Sequence, residues 1–175
     1  MALEVETGTG SASAESYISV AGFKSYCDAH GLSYADKTDT QIEQALRRAT
    51  QWIDATYSVR FNGNRINSDQ ALMWPMSGLV DRGGYAIAND AVPRQIVSAT
   101  AEAGARELAT PQSLSPDIVP GEVVKREKFD KVEFEYAIGS GGASVMAPEL
   151  MVIDGILAPL FPMTKSRYSG TAVRG

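Results

Sequence analysis

Gln70-Ala71-Leu72-Met73-Trp74-Pro75-Met76-Ser77-Gly78-Leu79-Val80-Asp81-Arg82-Gly83-Gly84-Tyr85-Ala86-Ile87-Ala88-Asn89-Asp90-Ala91-Val92-Pro93 lies between two helical patterns and decides how the chain folds. It carries one of the two tryptophans, two of the eight prolines and three glycines, the composition of an ordered connection rather than a slack linker. Pro75 fixes its own φ and pushes Trp74 toward extended backbone, so the preceding helix cannot run through it. Gly83-Gly84 permits a tight turn, and Pro93 suits the first turn of the next helix. Trp74 has two readings here: an aromatic that stacks a base or plugs an interface, or a lid on the core beside Leu72 and Pro75. The core role is favoured, because large aromatics usually bury their area. Asp81 with its glycines lacks the alternating carboxylates of a calcium loop, and an Asp-held turn accounts for it better.

Upstream, Ile42, Ala45, Leu46, Ala49, Trp52, Ile53 and Tyr57 recur at helical spacing, and Thr40-x-x-Glu43 has the form of a capping box. Gln41, Gln44, Arg47, Arg48 and Gln51 form the other face, where the arginines read either as a solvated face or as phosphate contacts. A shorter helix precedes it, from a Ser19 cap through Val20, Phe23, Tyr26 and Cys27 to His30-Gly31. Downstream of Pro93, Ile96 to Leu108 is rich in small residues that suit close helix packing, with Glu102, Arg106 and Glu107 on the side left to solvent or a neighbour. A last helix is expected from near Pro148, with Met146, Leu150, Ile153 and Leu157 as its stripe and Val152 and Ile156 beside it. The window Val145–Phe161 is interrupted by Glu149, Asp154 and two prolines and is too short for a bilayer span.

Between these last two helices, Val132, Phe134 and Tyr136 alternate with Lys131, Glu133 and Glu135, which predicts a charged β-hairpin over about 122–137 turning near Phe129-Asp130. The expected architecture is therefore mainly α, a small four-helix bundle with an inserted β-hairpin. Residues 1–15 form a flexible N-terminal arm, 16–161 the domain and 162–175 a basic C-terminal tail.

Composition narrows the function classes. One domain is the default for 175 residues, and a net charge of −5 argues against a general nucleic-acid coat. A single cysteine and a single histidine leave a zinc site improbable and an intramolecular disulfide impossible. No nucleotide fingerprint, nucleophile elbow or metalloprotease motif is present, and Gly139-Ser140-Gly141-Gly142 lacks the lysine of a phosphate loop. Cys27 and His30 could meet on one helix face as thiol and base, but Cys27 falls on the apolar stripe. No catalytic residue, cofactor or metal is assigned.

Gln-Ala-Leu-x-Trp-Pro, Asp81-x-x-Gly84-Tyr85-x-Ile87 and Val92-Pro93 carry a resemblance to a family of tailed-phage proteins, joined by Ser16-Tyr17-Ile18-Ser19-Val20, Ala49-Thr50-x-Trp52-Ile53-Asp54 and Val124 to Lys128. Its members are described either as head-tail adaptor (connector, neck) proteins or as DnaT-like single-stranded-DNA-binding proteins. The adaptor side of the resemblance implies a virion protein, made in the host cytoplasm. It would form a homo-oligomeric, dodecameric ring under the portal protein, join the head to a tail or neck completion protein, line the channel for genomic DNA, and have no membrane partner. The likeness makes Trp74, Pro75, Asp81, Gly84, Tyr85 and Pro93 a structural signature. Lys165, Arg167, Tyr168 and Arg174 become portal-contact candidates, and Lys125, Arg126, Lys128, Glu133 and Glu135 inter-subunit candidates. The alternative, a single-stranded-DNA-binding replication protein, would need a basic groove and stacking aromatics. The acidic balance and the packing positions of Trp52 and Trp74 turn the expectation toward the adaptor.

Overall fold

The computed structural model describes residues 3–115, 126–129, 132–135 and 150–162. The expected tail residues Lys165, Arg167, Tyr168 and Arg174, the glycine run 139–142, and Lys125, Met146 and Pro148 lie outside them. The described chain is mainly helical: α1 (Val20–His30), α2 (Asp39–Tyr57), α3 (Arg94–Ala109) and α4 (Met151–Leu157), with short strand pairs β1 (Asn64–Arg65) with β2 (Met76–Ser77) and β3 (Arg126–Phe129) with β4 (Val132–Glu135).

Local chemistry sets the helix ends. Ser19 caps α1 by accepting from Gly22 N–H, and Gly31 closes it in the left-handed region at φ 68°. The capping box of α2 is built from Thr38 and Gln41, two residues earlier than Thr40 and Glu43. Here Gln41 Oε1 accepts from the Thr38 N–H, the same reciprocal chemistry with a glutamine in place of the glutamate. Pro93 stands at the N-cap of α3, one position before the first turn expected for it, with extended backbone at ψ 142°. At Gly104 an added Cβ would lie 2.9 Å from Leu46 Cδ2, so a larger residue there would force the Leu46 side chain to shift where α2 and α3 approach closely.

The α2–α3 pair forms the centre, with α4 and α1 packed on α3. One part of the core gathers Ile53, Tyr57, Phe61, Trp74, Ile96, Leu157 and Phe161. The other gathers Phe23, Cys27, Ile42, Leu46 and Leu108 around α1. Only Ile153 and Leu157 of α4 are buried; Met151 and Val152 are exposed, so among the described residues nothing supplies the cover expected on this side of the helix.

Residues 3–15, expected as a mobile arm, lie against the body. Glu6 is buried, and its Oε1 accepts from the N–H groups of Gly8, Thr9 and Gly10 while Oε2 accepts from Ser11 N–H. A carboxylate in a nest of backbone donors offsets the cost of its own burial. Ala71 N–H donates to Ser11 O, and Asn67 Nδ2 donates to Thr9 O and Gly10 O, tying the segment to the central connection.

In the hairpin, Arg126 stands opposite Glu135 and Lys128 opposite Glu133. Four of the inter-subunit candidates, Arg126, Lys128, Glu133 and Glu135, thus occupy paired positions of the ladder, and Lys125 lies outside the described residues.

Candidate functional site

The signature stretch divides into an inward half and an outward half. Inward, Gln70 is buried and serves both sides of its own loop. Its Oε1 accepts from Ile66 and Asn67 N–H, and its Nε2 donates toward Leu72 O, Met73 O and Pro75 O. Trp74 is fully buried, edge-on to Phe61 at 5.3 Å, and joined to Pro75 by a cis peptide bond.

Three of the sequence motifs meet at this point. Trp74 N–H donates to Tyr17 Oη at 3.0 Å, Tyr17 O–H donates to Asp54 Oδ1 at 2.7 Å, and Met73 N–H donates to Asp54 Oδ2 at 2.9 Å. Ser16-Tyr17, Trp52-Ile53-Asp54 and Gln-Ala-Leu-x-Trp-Pro are thus one hydrogen-bonded network that fixes the connection against α2. Burial raises the Asp54 carboxyl above the ordinary range, against the hydrogen bonds from Tyr17 and Met73, and burial next to Asp54 raises the Tyr17 phenol.

A carboxyl raised in the folded state favours folding fully below the ordinary Asp range and progressively less as pH rises through its elevated native value. Asp54→Asn removes that dependence. In urea unfolding between about pH 3 and pH 7, the stability of the variant relative to wild type is expected to improve as pH rises. A difference that stays flat or runs the other way would refute burial as the dominant influence on Asp54.

The outward half is a finger. Val80 bridges Ala86 antiparallel, Asp81 N–H donates to Tyr85 O, and Ile87 N–H donates to Leu79 O. Asp81 closes the tip as an Asp-held turn, its Oδ1 accepting from Tyr85 N–H at 2.8 Å, with Gly84 at φ 88°. The finger is anchored at its base by buried Leu79 and at its tip by Arg82 N–H donating to Pro159 O. It presents Tyr85, 75% exposed, with Val80 and Arg82 also exposed.

The Ala158–Phe161 segment that receives the fingertip also carries Arg60. The Arg60 guanidinium lies 3.9 Å from the Phe161 ring centroid and pairs with Asp154 at 2.5 Å. The finger thus presents an exposed phenol ring and an exposed arginine, and its tip is tied to the segment on which Arg60, paired with Asp154, stacks.

Elsewhere the expected sites divide. Arg47 pairs with Glu15 and Glu43, whereas Arg48 pairs through Nε with Glu107. Glu107, read from the sequence as solvent-facing, is only 1% exposed and also accepts from Gln112 N–H. Helical spacing had no way to reveal this, because the burial comes from the 110–115 turn folding back over it. Cys27 is buried and its thiol is pushed up to about 11, chiefly by burial, while the His30 ring stacks on Tyr26 at 3.9 Å. Among the described residues, no group of three or more His, Cys, Asp or Glu side chains is placed to hold a metal ion, and no helix is long and apolar enough to cross a membrane.

A family model described as "Putative DnaT-like ssDNA binding protein" matches residues 1–175. None of the curated proteins and none of the solved structures matches the chain. The family match overturns the head-tail adaptor reading in favour of its alternative. The virion, connector and portal-binding roles expected from the sequence have no support here, and neither does a ring. The acidic net charge had carried the choice the other way. It is a property of the whole surface, whereas contact with a single strand needs only a local arrangement of cations and an aromatic.

Proposed function

The chain belongs to the family of DnaT-like single-stranded-DNA-binding proteins, and we propose that it binds single-stranded DNA without sequence specificity, using the Val80–Ala86 finger as its stacking platform. The whole-length family match carries this reading. The exposed Tyr85 ring supports it, because every base has a π-face and a rigid aromatic accepts any of them. Arg82 supplies a cation for the flanking phosphate. The proposal is one of binding alone, with no catalytic group assigned.

An acidic protein repels DNA at long range, so affinity rests on a few contacts, and each phosphate contact adds about 0.7 to the fall of log affinity with log salt. Fluorescence anisotropy with a labelled oligo-dT over a salt series tests this. Tyr85→Ala is expected to weaken binding about 5- to 150-fold, the range of one lost base stack at about 1–3 kcal/mol. Its melting curve should stay unchanged, since the ring is exposed. Wild-type protein that fails to bind oligo-dT even at low salt overturns the function. Wild-type binding that Tyr85→Ala leaves intact overturns the finger as its site.

A further inference from the structure

A cleft of about 130 Å³ opens between the first half of α2 and the end of α3, walled by Lys37, Gln41, Gln44 and Arg48 on one side and by Glu107 and Pro111 on the other. On α2, Gln41, Gln44 and Arg48 are exposed and follow each other at intervals of three and four residues, so they form one line along the helix. Every side chain of that line is a hydrogen-bond donor.

Arg48 is the fixed member. Its Nε forms an ion pair with Glu107 Oε1 at 2.7 Å, while its side chain remains 48% exposed and its two Nη groups have no protein partner among the described residues. Glu107 is itself held by Gln112 N–H at 2.7 Å. An ion pair with a buried carboxylate holds the guanidinium at the cleft wall and leaves its Nη donors for another acceptor, the groups with which arginine recognises phosphate. Nearby acids are mostly engaged: Asp39 with Lys24 at 2.6 Å and Glu43 with Arg47 at 3.4 Å, leaving Asp36 beside Lys37. The cleft volume is several times the roughly 30 Å³ share of one water, which admits a phosphate group.

We infer that this cleft is a phosphate subsite for the DNA backbone, with Arg48 and Lys37 as the cations, Gln41 and Gln44 as neutral donors, and Glu107 as the positioning residue for Arg48. The inference rests on the single-stranded-DNA reading and adds to it a second contact region, away from the finger.

The test compares wild type with Lys37→Ala and Gln44→Glu, both at exposed positions that leave the Arg48–Glu107 pair untouched. Labelled oligo-dT is titrated over a salt series, with melting curves as the folding control. Losing the Lys37 contact should flatten the slope of log affinity against log salt by about 0.7. Gln44→Glu, which sets a negative charge in the line, should weaken binding at least about fivefold at low salt. Wild-type DNA binding that depends on Tyr85 but is unmoved by both variants overturns the subsite and leaves the finger standing. Wild-type protein that binds no oligo-dT removes both. If it then binds polyglutamate in a Lys37-dependent way, the cleft belongs to an acidic protein partner instead.

Discussion

Trp74→Ala is expected to lower the unfolding free energy by about 3–5 kcal/mol, the range for deleting a buried large aromatic. Small domains hold only about 5–15 kcal/mol in total, so the variant should be partly unfolded or close to it at physiological temperature. The indole is 0% exposed and packs edge-on to Phe61, within a core that also holds Ile53, Ile96 and Leu157. Trp74→Phe separates packing from polarity. The indole Nε1–H is closed to solvent and has no partner among the described residues. Phenylalanine removes that donor along with part of the volume, so the two changes oppose each other and the net loss should be about 1 kcal/mol. Urea unfolding of both variants decides the matter. An alanine variant within about 1 kcal/mol of wild type would show that the ring is not a core element. A phenylalanine variant with normal stability and lost DNA binding would make Trp74 a contact residue after all.

Most of the fold was legible because it rests on local signals. The α2 stripe, the Ser19 cap, the restart at Pro93 and the existence of the hairpin each follow from periodicity or from the geometry of single residues; the hairpin register, with no Asn-Gly or Asp-Gly turn to pin it, does not. What escaped depends on groups far apart in sequence. Glu6 fell in an expected flexible arm and Glu107 on the side expected to face solvent or a neighbour, and only the Gly8–Ser11 nest and the Arg48 side chain with the 110–115 turn make them buried acids. The segment 3–15 looked featureless because its attachment runs through backbone groups and through Asn67 and Ala71, which no apolar pattern announces. The functional residues were visible as residue types but not as a surface. Tyr85 entered as part of a structural signature; its exposure follows from the finger geometry that Asp81 and Gly84 impose.

The signature accordingly works at two depths, and the deeper one yields the second large effect. Gln70 satisfies two backbone N–H groups through Oε1 and reaches three carbonyl oxygens through Nε2, in the stretch that sets Trp74 into the core. Gln70→Leu keeps most of the volume but leaves these groups without their partner. At about 1–3 kcal/mol for each one that water cannot reach, the expected loss is about 3–5 kcal/mol. Gln70→Glu is the sharper test because it is nearly isosteric. Its carboxylate still accepts from Ile66 and Asn67 N–H, yet it turns a second oxygen toward Leu72 O, Met73 O and Pro75 O, where only a donor fits. The glutamate variant should therefore be at least as unstable as the leucine variant at neutral pH, and should recover part of the loss in acid, where a protonated carboxyl donates one hydrogen bond. Both variants should also weaken oligo-dT binding, since the loop they loosen continues directly into the finger. If Gln70→Glu matches wild type in urea unfolding at pH 7, the amide is not organising the loop, and the Tyr17–Asp54–Trp74 network must hold the connection alone.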